Sequence, residues 1–217
     1  MPHRRTFLAQ LGTAAAAIAF DADEMRASTL NAQSPWDTSW LDRLATAHFR
    51  VVFNASDIAD GAAMNYAQAF LDDFRDAHQT SDAQTRPVIV FRRLGTRMAF
   101  NDMLWDKYAI GEDRKIDDSA THGPAKRNVF WKAAPGASPE SASSMIDTLQ
   151  KRGMISLVCN VAVNNIGSGL AQKTGHDVEE IRRELKANLV PGAILVPSGI
   201  YALIRAQNAG CAYMQGT

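Results

Sequence analysis

Four segments of the chain are continuously apolar rather than alternating: "RVVF" (50–53), "PVIVF" (87–91), "MISLV" (154–158) and "AILV" (193–196). A strand with one wet face alternates apolar and polar residues. A strand covered on both faces has no reason to. Each of these runs is followed by a stretch with helical spacing or helix-start signals. Buried strands alternating with helices predict a three-layer α/β sandwich around a mostly parallel sheet. A short last strand, "CAYM" (211–214), makes it five-stranded.

The intervening segments supply the helices. "WDTSWLDRLATAHF" offers Trp36, Trp40, Leu41 and Leu44 for packing. In the next segment Ile58, Ala62, Tyr66, Phe70 and Phe74 recur every four residues and predict one apolar helix face, with Asp57 or Asp60 as its cap. "TRMAFNDMLWDKY" reads as a second helix. "HDVEEIRRELKANL" carries a capping-box-like pair, Asp177 and Glu180, and the stripe Val178, Ile181, Leu185, Leu189. Ser198 and Gly210 bracket the last helix. Residues 110–140 show no period and read as a long loop, a length that usually signals function or mobility.

The first twenty residues stand apart. Arg4 and Arg5, then Phe7-Leu8, then a charge-free Ala-rich run, resemble a twin-arginine export signal. The run from Leu8 to Phe20 is too short to span a bilayer, so no stable membrane span is expected in the mature form. Residues 1–27 are read as signal and processed segment, and 28–217 as one domain. With 46% hydrophobic residues, 217 residues can bury one sizeable core. Lys+Arg and Asp+Glu balance at 23 each, so no basic field attracts nucleic acid. Such a signal implies export in the folded state to the periplasm or cell envelope, an oxidising compartment.

In a parallel α/β sheet, ligands sit beyond the carboxyl ends of the strands. That places Asn54, Ser56, Arg92, Arg93, Cys159, Asn160, Pro197 and Ser198 on the candidate rim. Cys159 closes the third strand. If Asn160 caps the helix after it, the helix dipole and free N–H groups favour a thiolate. The alternative is a packed, inert cysteine. Arg92 and Arg93 suit an anion such as a sulfur oxyanion, or are simply solvated. If the last three strands lie side by side, one strand separates Cys159 from Cys211, at about 10 Å, too far for a disulfide. Two free thiols are expected.

Other motifs are weaker. "GSGLAQKTG" (167–175) matches a phosphate loop at Gly167, Lys173 and Thr174, but position 172 is Gln and no strand directly precedes it. His48, His78, His122 and His176 show no metal-ligand spacing, and there is no Cys-x-x-Cys. His122, near Asp117 and Asp118, reads as a solvated loop histidine. No metal or cofactor is expected.

"GMISLVCN", followed by "LVPGAILVPSGIYALIRAQNAGCAYM", resembles the DsrE/DsrF-like family of sulfur-relay proteins. The likeness covers about residues 48–217 and is most specific over 153–214. "AFNDMLWDKYAIGED", with "RNVF" after it, is similar to a branch of that family that carries export signals; Trp105, Tyr108, Gly111, Arg127 and Asn128 stand in these segments. The resemblance implies a flavodoxin-like sandwich, a homo-oligomer, and a small sulfur compound or sulfur-donor protein as partner. It also implies that Cys159, matching the cysteine after the third core strand, accepts a persulfide sulfur. The other reading is a non-enzymatic small-ligand or partner-binding module with Cys159 packed.

Overall fold

A computed structural model describes residues 34–217; the export-signal reading lies outside them. Contacts divide the chain into a unit ending at Thr38 and a unit spanning Ser39–Thr217. Within the first, Ser34 Oγ accepts the Trp36 N–H at 3.2 Å.

The second unit is built on a five-stranded sheet ordered β6–β5–β2–β1–β7. The strands are β1 (Phe49–Ala55), β2 (Thr85–Phe91), β5 (Ile155–Cys159), β6 (Ala193–Val196) and β7 (Ala212–Gln215). All four pairings are parallel. Alternate residues along β1, β2, β5 and β6 enter two separate cores. Val51, Phe53, Ile89, Phe91 and Val158 face one, and Val52, Val88, Val90, Ile155, Leu157 and Val196 face the other. The apolar runs are continuous because both sides are covered, so the chain is a three-layer, flavodoxin-like α/β sandwich.

The first face is covered by α2 (Ala62–His78), α3 (Asp102–Lys107), α6 (Ile146–Lys151), α7 (Asn160–Thr174) and α8 (Val178–Ala187). The second carries α1 (Trp40–Ala45) and α9 (Gly199–Asn208). Walking β1, β2, β5, β6, the chain steps one way across the sheet with its connections on the first face. After β6 it turns to the second face, and α9 carries it back to pair β7 with β1. The last three strands therefore do not lie side by side in order: β5 and β6 are neighbours, but β2 and β1 stand between β5 and β7, or about 14 Å of sheet. The expected spacing was wrong, and its conclusion holds for a stronger reason: both cysteines are free.

Three local expectations are corrected. The core stripe of α2 is Ala63, Met64, Ala67 and Leu71, one position round from the expected one, and Tyr66 is exposed. Its N-cap is Gly61 in the left-handed region; Asp57 instead bonds the Ile58 N–H at 2.7 Å. "TRMAFNDMLWDKY" is not one helix. A 3-10 turn (Arg93–Ala99) ends at Phe100, which is extended and bridges Leu189. Asn101 then caps α3 through the Leu104 N–H at 3.2 Å.

Residues 110–140 are also not one irregular loop. They hold α4 (Ile110–Arg114), an antiparallel pair β3 (Asp117–Asp118) with β4 (Gly123–Pro124), and the start of α5 (Pro139–Ser143). Arg127 forks onto the buried Asp118 carboxylate at 2.6 and 3.1 Å. Asn128 donates to the Met98 and Phe100 carbonyls at 2.7 and 2.6 Å. These bonds seat the insertion on the turn that follows β2. The stripe of α8 is as expected at its centre, with Ile181 and Leu185 buried.

Candidate functional site

The turn of the chain from one face to the other sets where a site can form. After β5 the chain enters α7 on the first face, and after its neighbour β6 it enters α9 on the second. Where adjacent strands send their connections to opposite faces, a crevice opens beyond their carboxyl ends. Cys159 and Val196 are register partners at that edge.

The crevice is a cavity of about 760 Å³, lined by Cys159, Ser198, Gly199, the turn after β2, the end of α3, α4, and one side of α7. This is the size range of small-molecule sites. Among the expected rim residues the fold brings Arg92, Arg93, Cys159 and Ser198 together on its wall. Asn54 and Asn160 are not on that wall. Asn54 lies at the β1–β7 side, where its amide donates to the Tyr213 hydroxyl and the Gln215 side chain, each at 3.1 Å. Asn160 has its Oδ1 buried without a protein partner.

The helix cap is a second correction. Cys159, not Asn160, caps α7. Its backbone is still extended (φ −72, ψ 109), and its Sγ accepts the Ala162 N–H at 3.4 Å. The strand runs on through Cys159, so the side chain facing the free N–H groups of the first turn is the thiol itself. Cys159 is 6% exposed. Ser198 caps α9 in the usual way, through the Tyr201 N–H at 3.1 Å. Two helix N-termini, each carrying partial positive charge, thus border one cavity.

Charge on the wall is one-sided. Arg92, Arg93, Arg97, Arg114 and Lys173 face a single carboxylate, Asp113. Asp113 pairs with Arg114 at 2.7 Å and Lys173 at 3.7 Å. Burial works to raise its carboxyl, but the Arg114 hydrogen bond and the charges of Arg114, Lys173 and Arg97 hold it below its ordinary range. Arg92, Arg93 and Arg97 have no carboxylate partner among the described residues. Burial first, then repulsion from Arg114, lowers the Arg97 pKa, with Asp113 opposing. Tyr108 also lines the cavity, but its hydroxyl donates to Glu184 at 2.5 Å; burial and that bond raise its pKa and keep it a phenol.

Sequence reading missed Arg97, Arg114 and Lys173. Lys173 was noticed only inside the phosphate-loop pattern, and the structure makes residues 167–174 the second half of α7. His122 is exposed in the β3–β4 turn. Among the described residues no cluster of three or more His, Cys, Asp or Glu is placed to hold a metal ion, and no helix is long and apolar enough to cross a membrane. Cys211 is buried next to the far-edge strand β7, and burial pushes its thiol up to about 11 against the pull of Arg50.

No family model, curated protein or solved structure matches the chain.

Proposed function

We propose that this protein carries or transfers sulfane sulfur as a persulfide on Cys159. The observation that carries the reading is the position of one sulfur atom. Cys159 Sγ takes a backbone N–H at the start of α7 and also borders a cavity rich in cations. A thiolate is the attacking species in sulfur exchange, and helix N-termini favour it.

In the step, the Cys159 thiolate attacks the outer sulfur of a persulfide or thiosulfonate donor. The donor S–S bond breaks, and its remainder leaves as a thiolate from a persulfide, a sulfinate from a thiosulfonate or sulfite from thiosulfate. A new S–S bond forms on Cys159. No electrons are gained or lost overall. An acceptor thiolate then removes the outer sulfur by the same exchange. Arg92 and Arg93 hold the anionic part of the donor. The Ala162 N–H remains beside the cysteine sulfur throughout. The same reading places the protein in the cell envelope as a homo-oligomer.

The burial of Cys159 favours a second reading, a ligand-binding module whose cysteine is packed. Intact mass separates the two. Wild type and Cys159→Ser are incubated with thiosulfate or a small persulfide. Sulfur gained by wild type alone supports the carrier. No gain, with Cys159 unreactive to alkylation until unfolding, overturns it and leaves the module.

A further inference from the structure

The cavity is longer than an inorganic sulfur donor needs. Beyond Val161 in its first turn, the α7 wall is Ala162, Asn165, Ile166, Gly169, Leu170 and Lys173. That spacing is one face of a helix. At 1.5 Å per residue the stretch spans about 16 Å. The Cys159 thiol stands at one end. At the other, Lys173 and Arg114 each pair with Asp113, with Arg97 on the same wall. The groove between is open at Gly169, where a Cβ would meet nothing within 4 Å.

Resting on the persulfide reading, we infer that the low-molecular-weight partner of Cys159 is an elongated organic persulfide or thiol with an anionic far end. Its sulfur lies at Cys159, its carbon body along α7 against Ile166 and Leu170, and its anionic group at Lys173 and Arg114. Three cations share one carboxylate at that end. A bound anion relieves the mutual repulsion of Arg97 and Arg114. Thiosulfate reaches the thiol end only and leaves the far cations uncompensated. The exchange is the one already written: the donor thiolate leaves, and Cys159 keeps the outer sulfur.

The test uses four donors on the whole protein, with Cys159 persulfide read by intact mass against donor concentration. Coenzyme A persulfide and glutathione persulfide are long and end in phosphates and carboxylates respectively. N-acetylcysteamine persulfide is short and neutral, and thiosulfate is a short anion. The expected result is half-loading by at least one long donor at a concentration about tenfold or more below both short ones, the gain of charge-assisted bonds at the far end. Whichever long donor wins identifies the end group. Gly169→Leu fills the groove midway, and Lys173→Gln discharges its end. Both abolish most of that advantage, weakening loading by the long donors far more than by the short ones. Equal loading by all four donors, or a Gly169→Leu effect equal on long and short donors, overturns the inference while the carrier reading stands. If no donor loads Cys159, the carrier reading fails. Calorimetric binding of coenzyme A and glutathione to Cys159→Ser then still reads the groove. Binding lost in Gly169→Leu supports its use, and no binding overturns it.

Discussion

Arg92 lies so close to Gly199 that a Cβ on the glycine would stand 2.9 Å from the Arg92 Cβ. The first residue of α9 is thus bare where the arginine leaves the end of β2 and crosses toward the cavity. Gly199→Ala forces the Arg92 stem aside. Overpacking of this kind destabilises by about 1–3 kcal/mol. If Arg92 holds the donor, half-loading of Cys159 by thiosulfate shifts to a several-fold higher concentration. Arg92→Gln reproduces the loading defect without the loss in stability, and a thermal melt with the loading curve checks both.

The Cys159 cap makes its two small replacements differ. Serine offers a hydroxyl to the Ala162 N–H and is a preferred cap, whereas alanine leaves that N–H without its acceptor. Cys159→Ser is expected to melt close to wild type and Cys159→Ala about 2–4 °C lower, for roughly 1 kcal/mol of lost capping. Neither takes up sulfur. Differential scanning calorimetry on the three proteins is the check. Equal melting of wild type and Cys159→Ala would show that the Sγ contact contributes nothing.

Cys211 gives the fold an alkaline limit. Its thiol titrates near 11 when folded and near its ordinary 9.0 when unfolded. Between those values the native state holds the proton and the unfolded chain has lost it. The contribution is therefore complete below pH 9 and falls as pH rises through 11. Denaturant midpoints measured from pH 8 to 11 should fall more steeply for wild type than for Cys211→Ala. In native protein at pH 8, alkylation of Cys211 should be slower than that of Cys159.

The β3–β4 pair is seated on α4 through Gly111. A Cβ there would lie 2.3 Å from the Ala125 carbonyl oxygen and 2.5 Å from its nitrogen. Both are backbone atoms just after the β3–β4 pair, so no side chain can swing away. Gly111→Ala is expected to cost about 2–3 kcal/mol and to expose residues 115–125 to proteolysis. Because α4 carries Asp113 and Arg114 on the cavity wall, donor loading falls as well. Limited proteolysis followed by mass mapping reads the displacement directly.

The layered sheet could be read from the sequence because burial on both faces leaves its mark residue by residue. "PVIVF" needs no partner information to declare itself covered. Cys159 and Ser198 were legible for the same reason, as residues at the ends of such runs. The cation cluster was not. Arg97 follows β2, Arg114 belongs to α4, and Lys173 ends α7, and only the docking of the insertion through Asn128 brings them together. Asn54 misled because position at a strand end says nothing about which strand lies alongside, and β7 claims its amide. The break at Phe100 was invisible to helical periodicity, since its cause is a bridge to Leu189, far along the chain.

The return of β7 to β1 has a consequence in time. Val51 to Asn54 hydrogen-bond outward only to residues 212–215, so the outer edge of β1 emerges from the ribosome well before its partner is made. At translation speeds of 5–20 residues per second that interval is roughly 8–30 seconds. Throughout it the growing chain presents an unpaired strand edge, the kind of surface on which neighbouring chains assemble wrongly. It follows that the nascent protein is most vulnerable just before the strand carrying Tyr213 arrives, and that a chain truncated ahead of it keeps that edge open.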